Sequence, residues 1–165
     1  MEKYVTLAKE LNMLNARLIS PKEIVFDLRA ILKCRWGCDN VFQQNMKCDT
    51  RNTTFQERVQ MIKSYRSILL LHSHDPQELS RVVLEVERVA FLDGHYFAFA
   101  VRGCNLCKDC TLKIGEPCPT PNKIRPCDSS FGIDVYQTAR NLGLPCQVLQ
   151  NKNEVQNRYG FVLLD

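Results

Sequence analysis

Nine cysteines stand among 165 residues, far more than packing requires, so the thiols need a chemical reason. Cys104-Asn-Leu-Cys107-Lys-Asp-Cys110 places three of them at three-residue steps, and Cys118 follows between Pro117 and Pro119. Closely stepped cysteines let one loop wrap a cluster, each thiolate taking a different iron while backbone N–H groups turn toward the sulfurs. The expected cofactor is an iron-sulfur cluster of the 4Fe-4S type, held by Cys104, Cys107, Cys110 and Cys118. Bacterial ferredoxins bring their next cysteine after only three residues, a spacing not kept here, so Cys127 is a rival for the fourth position. Four thiolates also make a closed tetrahedral zinc site. The usual zinc arrangement uses two separated C-x-x-C knuckles, whereas three cysteines crowd one turn here, and zinc is the alternative cofactor.

Cys34-Arg-Trp-Gly-Cys38, with Cys48 further on, forms a second group. Three readings are open for it. Three ligands would hold a cluster with an open iron, making the protein an enzyme or accessory factor; Cys127 would complete a closed site; or these are ordinary packed thiols. Trp36 would shield such a cluster or simply pack in the interior, the second being the more common role. Cys146 reads as a core thiol, and His72, His74 and His95 as surface or capping residues. No Ser-His-Asp set, carboxylate pair or phosphate loop can be assembled, so no catalytic residue is assigned. Lys108, Lys113, Lys123 and Arg125 surround the first group and serve either to attract an acidic redox partner or to solvate the loop, with solvation favoured.

The 22 basic and 18 acidic residues leave a formal charge of +4, too small and too evenly spread for a nucleic-acid footprint. Glu2, Lys3, Lys9 and Glu10 interrupt the start of the chain and leave no apolar signal-peptide core. The aliphatic run from Ile68 to Leu71 falls far short of the roughly 20 residues of a membrane span. An odd cysteine count without an export signal favours reduced, metal-ligating thiols in the cytoplasm over a disulfide framework.

These residues need a scaffold. Tyr4, Leu7, Ala8, Leu11 and Leu14 recur at helical steps and predict an amphipathic helix from Glu2 to about Leu18. Ile24, Phe26 and Leu28 alternate with Val25, Asp27 and Arg29, which predicts a strand running toward Cys34. A helix over about Thr54 to Ser64 precedes a buried strand at Ser67 to His72. The clearest helix opens at Asp75-Pro76-Gln77-Glu78, with a capping carboxylate, a proline whose missing N–H costs nothing, and an acid at the third position. Its apolar stripe runs from Leu79 to Ala90, and Gly94 closes it. A strand over Tyr96 to Val101 then delivers the chain to Gly103-Cys104. Residues 104–130 are rich in proline and long for a structureless connection, so a metal centre would have to organise them. A helix over Ile133 to Leu142 follows, with Ser129 or Ser130 as cap candidates and Asp134 near its positive end. Gln147 to Gln150 and Tyr159 to Leu164 offer two more strands. Both cysteine groups thus begin where a predicted strand ends, and parallel neighbouring strands would bring both loops to one sheet edge. The reading is a single α+β domain over residues 1–165, with a small mixed β-sheet covered by helices and a cysteine-rich metal-binding loop.

Cys34 to Cys48, the long helix, Cys104-x-x-Cys107-x-x-Cys110, Pro117-Cys118-Pro119, Arg125-Pro126 and Gly132-Ile133-Asp134-Val135 together resemble the prokaryotic family of predicted metal-binding proteins DUF2284. The resemblance implies a cytosolic metal-binding, iron-sulfur protein whose reaction is unassigned, and it adds no catalytic residues. This chain departs from it at Cys48, followed by Asp49 and Thr50 where the family has two prolines, and at Cys127, where many relatives have serine.

Overall fold

The computed structural model describes residues 1–38 and 46–165. In chain order its helices are α1 (Glu2–Glu10), α2 (Leu28–Gly37), α3 (Phe55–Lys63), α4 (Pro76–Leu92), α5 (Asp128–Phe131) and α6 (Val135–Asn141). The strands are β1 (Asn15–Ile19), β2 (Ser67–Ser73), β3 (Phe99–Val101) and β4 (Arg158–Leu164). They form one sheet in the order β1-β2-β4-β3. The architecture is α+β, as expected, but every pair of strands is antiparallel and the sheet is not mixed.

Both faces of the central strands are covered. Leu69, Leu71, Val162 and Leu164 enter a core shared with Tyr4 and Ala8 of α1 and with Leu79, Val83 and Val86 of α4. Ile68, Leu70, Phe161 and Leu163 enter a second core with Ile62 of α3, Ala139 of α6 and Ile24. Each full side-chain burial contributes about 1.5–3 kcal/mol. Because successive residues of β2 feed opposite cores, its apolar run shows no period of two, although the sheet is antiparallel.

Local signals place three helices as expected. Thr54 and Glu57 form a reciprocal cap for α3, with Glu57 N–H donating to Thr54 Oγ1 at 3.2 Å and Thr54 N–H to Glu57 Oε2 at 2.6 Å. Asp75 accepts from Gln77 N–H at 2.7 Å and Glu78 N–H at 2.9 Å to open α4, and Gly94 beyond its end has a φ of +98°. Asp134, rather than Ser129 or Ser130, caps α6 by accepting from Gln137 N–H at 2.8 Å.

Five expectations are corrected. The first helix ends at Glu10, not near Leu18: Asn12 turns at a φ of +63°, which asparagine tolerates, and residues 15–19 pair with β2 instead. The strand expected over residues 24–28 is reduced to one bridge, Phe26 to Ile133, and from Leu28 the chain is helical. There the Asp27 carboxylate accepts from Arg29 N–H at 2.8 Å and caps α2, so Cys34 lies within a helix rather than beyond a strand. Residues 147–150 form no strand, and the strand expected from Tyr96 begins only at Phe99. Among the described residues no strand pair is parallel, so parallel neighbours do not bring the two loops to one sheet edge.

What positions the cysteines is a set of long-range hydrogen bonds. Asp27 N–H donates to Gly132 O at 2.9 Å, Asp134 N–H to Val25 O at 2.8 Å and Val25 N–H to Thr138 Oγ1 at 3.0 Å. They stitch the segment before α2 to the segment around α5, and α2 packs on α5. Among the described residues no helix is long and apolar enough to cross a membrane.

Candidate metal centre

The loop beyond β3 is tied down at both ends. Asn105 N–H donates to Ser80 Oγ of α4 at 3.2 Å, and its side-chain amide to Gly103 O at 2.9 Å. Thr111 Oγ1 donates to Pro117 O at 3.0 Å, which draws the segment after Cys110 back to Cys118. At the far end Arg125 Nε donates to Glu87 Oε2 at 2.7 Å, a second bond joins Arg125 Nη2 to Glu87 Oε1, and the guanidinium lies over the Phe99 ring. Glu87 also accepts from Ala100 N–H at 2.7 Å, so this largely buried pair fastens the loop to α4 and β3 together. Arg125 therefore neither solvates the loop nor faces a partner; the sequence does not reveal this because Glu87 lies on another element.

Between these anchors Cys104, Cys107, Cys110 and Cys118 line one cavity of about 170 Å³, with Leu106, Leu112 and Ile124 as apolar wall and Lys47, Lys108 and Lys113 as charge. Burial pushes the Cys104 thiol above its ordinary value, and the Leu106 N–H and Lys47 oppose that shift by favouring the thiolate. All nine cysteines are free of disulfides. Among the described residues no three His, Cys, Asp or Glu side chains meet at single-ion spacing.

Cys127 lies elsewhere. Its N–H donates to Lys47 O at 3.0 Å, its thiol to Asp128 Oδ1 at 3.4 Å, and its sulfur stands 3.4 Å from where a Cβ on Gly103 would sit. It precedes α5, on which α2 packs; α2 carries Cys34, and Cys38 follows at its C-cap. Burial pushes the Cys34 thiol up to about 11, with further repulsion from Cys38, Cys48 and Asp128 and opposition from Arg35. Cys48 is raised by burial and then by Cys38, and Cys127 strongly by burial, then Asp128, with Cys34 a smaller contributor. The structure thus brings Cys34, Cys38, Cys48 and Cys127 into one neighbourhood.

Lys47 links the two neighbourhoods: its backbone holds Cys127, and its ammonium donates to Cys104 O at 3.3 Å. Asp128 is nearly buried; its other oxygen lies 3.7 Å from Arg102 Nη1, two residues before Cys104. Lys47, Asp128, Arg102 and Gly103 were not singled out as site residues. A lysine beside Cys48, an acid after Cys127 and a glycine before Cys104 were the available signals, and each acquires meaning only from its distant partner.

The remaining candidates have other places. Trp36 is 75% exposed and packs in neither interior nor cavity wall. His72 is buried, stacked on Tyr159 at 4.8 Å, and shares Asn157 Oδ1 with His74. His95 meets Tyr4 edge-on at 5.8 Å, and Cys146 packs beside the second core, donating to Tyr136 O.

The family model described as Predicted metal-binding protein (DUF2284) matches residues 17–164, which takes in every cysteine of the chain. No curated protein and no solved structure matches it.

Proposed function

Because the chain belongs to the DUF2284 family of predicted metal-binding proteins, we propose that Cys104, Cys107, Cys110 and Cys118 hold an iron-sulfur cluster, 4Fe-4S in type, serving electron transfer or redox sensing. The observation that carries this reading is the shared cavity of about 170 Å³ whose wall includes all four thiols. Around a single zinc ion at a Zn–S distance near 2.3 Å, four sulfurs would gather within about 3.8 Å of one another. Thiols spread around a space suit a multi-iron cluster better, since each takes a different iron.

The chain's own residues supply the rest of what such a group needs. Each thiol exchanges its proton for iron on ligation, so binding releases protons and weakens in acid. Lys47 offsets the charge of the thiolates, and the Leu106 N–H turns toward the Cys104 sulfur. Leu106, Leu112 and Ile124 limit water around the site, which tunes a cluster's potential. Lys108 and Lys113 on the same wall give an acidic redox partner something to meet. Free thiols and an iron-sulfur cofactor suit a reducing compartment, and the setting proposed with them is the cytoplasm. The reaction is unassigned.

Serine replacements test it. Anaerobically purified Cys104→Ser and Cys107→Ser proteins are expected to lose the visible absorption that this site contributes, while Cys146→Ser keeps it. A colourless wild-type protein containing stoichiometric zinc would replace the reading with a zinc-stabilised interaction module.

A further inference from the structure

We propose that Cys34, Cys38, Cys48 and Cys127 form a second iron-sulfur site, whose fourth ligand comes from the loop that carries the first. The inference rests on the proposed function for the class of metal; the grouping of the thiols stands on its own geometry.

The orientation of α2 is the first support. Leu28, Leu32 and Trp36 are 58%, 59% and 75% exposed, at four-residue steps along one face. A helix oriented by apolar burial alone would turn that face inward. Instead its half-buried side is Ala30, Ile31 and Cys34, continued by half-buried Cys38 at the C-cap. Leaving two leucines and a tryptophan in solvent forgoes apolar burial, and some other requirement offsets it. Metal ligation by the inward thiols is such a requirement, because ligand binding free energy adds directly to folding.

The second support is the position of Cys127. The hydrogen bond from its N–H to Lys47 O fixes it beside Cys48, and the packing of α5 on α2 fixes it beside the Cys34 face. Its place against Gly103 keeps it off the cavity wall of the first set, so the two groups of four share no member. Arg102 lies against Asp128, the residue after Cys127. The second set closes with four thiols and leaves no open iron for substrate, unlike a three-cysteine site.

Two measurements on the full chain test this. In anaerobically prepared protein, Cys34→Ser and Cys127→Ser are each expected to hold about half the wild-type iron and sulfide, and Cys104→Ser to lose the other half. Unchanged iron in both Cys34→Ser and Cys127→Ser would overturn the second site while leaving the first intact; absence of iron from the wild type would overturn the proposed function instead. Alkylation of the unmodified protein, mapped by mass spectrometry, needs no variant to fold. Cys34, Cys38, Cys48 and Cys127 should resist alkylation until a chelator is added, whatever metal is bound. Reaction of those four at the rate of Cys146 while the first set stays protected would overturn the grouping.

Discussion

Glu87 and Arg125 show how one residue pair determines whether a metal loop is a loop or a frayed segment. Their carboxylate and guanidinium are largely buried and bonded at two points, and the same carboxylate holds Ala100 of β3. Removing one partner strands a buried charge, which costs about 3–5 kcal/mol. Glu87→Ala is therefore expected to lower unfolding free energy by about that amount in denaturant titration, and a loss within about 0.5 kcal/mol would show the pair to be unimportant. His72 sets a pH limit by a different route. Burial holds its imidazole below the ordinary 6.5, with the bond to Asn157 only partly opposing. The unfolded chain then binds the proton more readily than the folded one, so this contribution to stability is complete above pH 6.5 and falls as pH drops through the folded value. A stability profile from neutral pH downward should show the decline, and His72→Gln should remove part of its slope.

At the scale of elements, Gly132 is where three helices converge. Its φ is +83°, and a Cβ there would lie 2.4 Å from Phe55 Cε2 and 3.3 Å from Ile31 Cδ1. Gly132→Ala should displace α2 and α3 from α5 and cost about 1–3 kcal/mol, with metal content at Cys34 and Cys38 falling in step. An unchanged melting curve would refute that packing account. The same region explains what could be read from the residues alone. Asp75, Pro76 and Gly94 act within their own turns, so α4 was legible to within a residue or two. The period of two in residues 24–29 was real but subordinate: Val25 and Asp27 spend their backbone groups on Gly132, Asp134 and Thr138, and Asp27 caps a helix. Likewise Leu11 and Leu14 continue the pattern of α1, while pairing with β2 claims residues 15–19. Non-local hydrogen bonds overrode local pattern in both places.

Across the whole molecule, Lys47 and the approach of Cys127 to Gly103 join the loop of Cys104 to the segments of Cys48 and Cys127. Cys104, Cys107, Cys110 and Cys118 were legible as a set because one short loop holds them. Spacing left Cys127 open between the two sets, since its place depends on packing between elements far apart in the chain. Loss of metal should therefore act unevenly: the sheet persists on its two apolar cores, whereas residues 104–127 are held by polar anchors to Lys47, Ser80 and Glu87. Limited proteolysis with and without chelator is expected to cut that loop first and many-fold faster in the metal-free protein; equal rates would show that metal does not organise it. The most direct test of the central claim is acid-labile sulfide, measured with iron and zinc in anaerobically purified wild-type protein. The account predicts iron and sulfide in equal amounts, at least four of each per chain, with little zinc. Zinc at one or two per chain with no sulfide would contradict it.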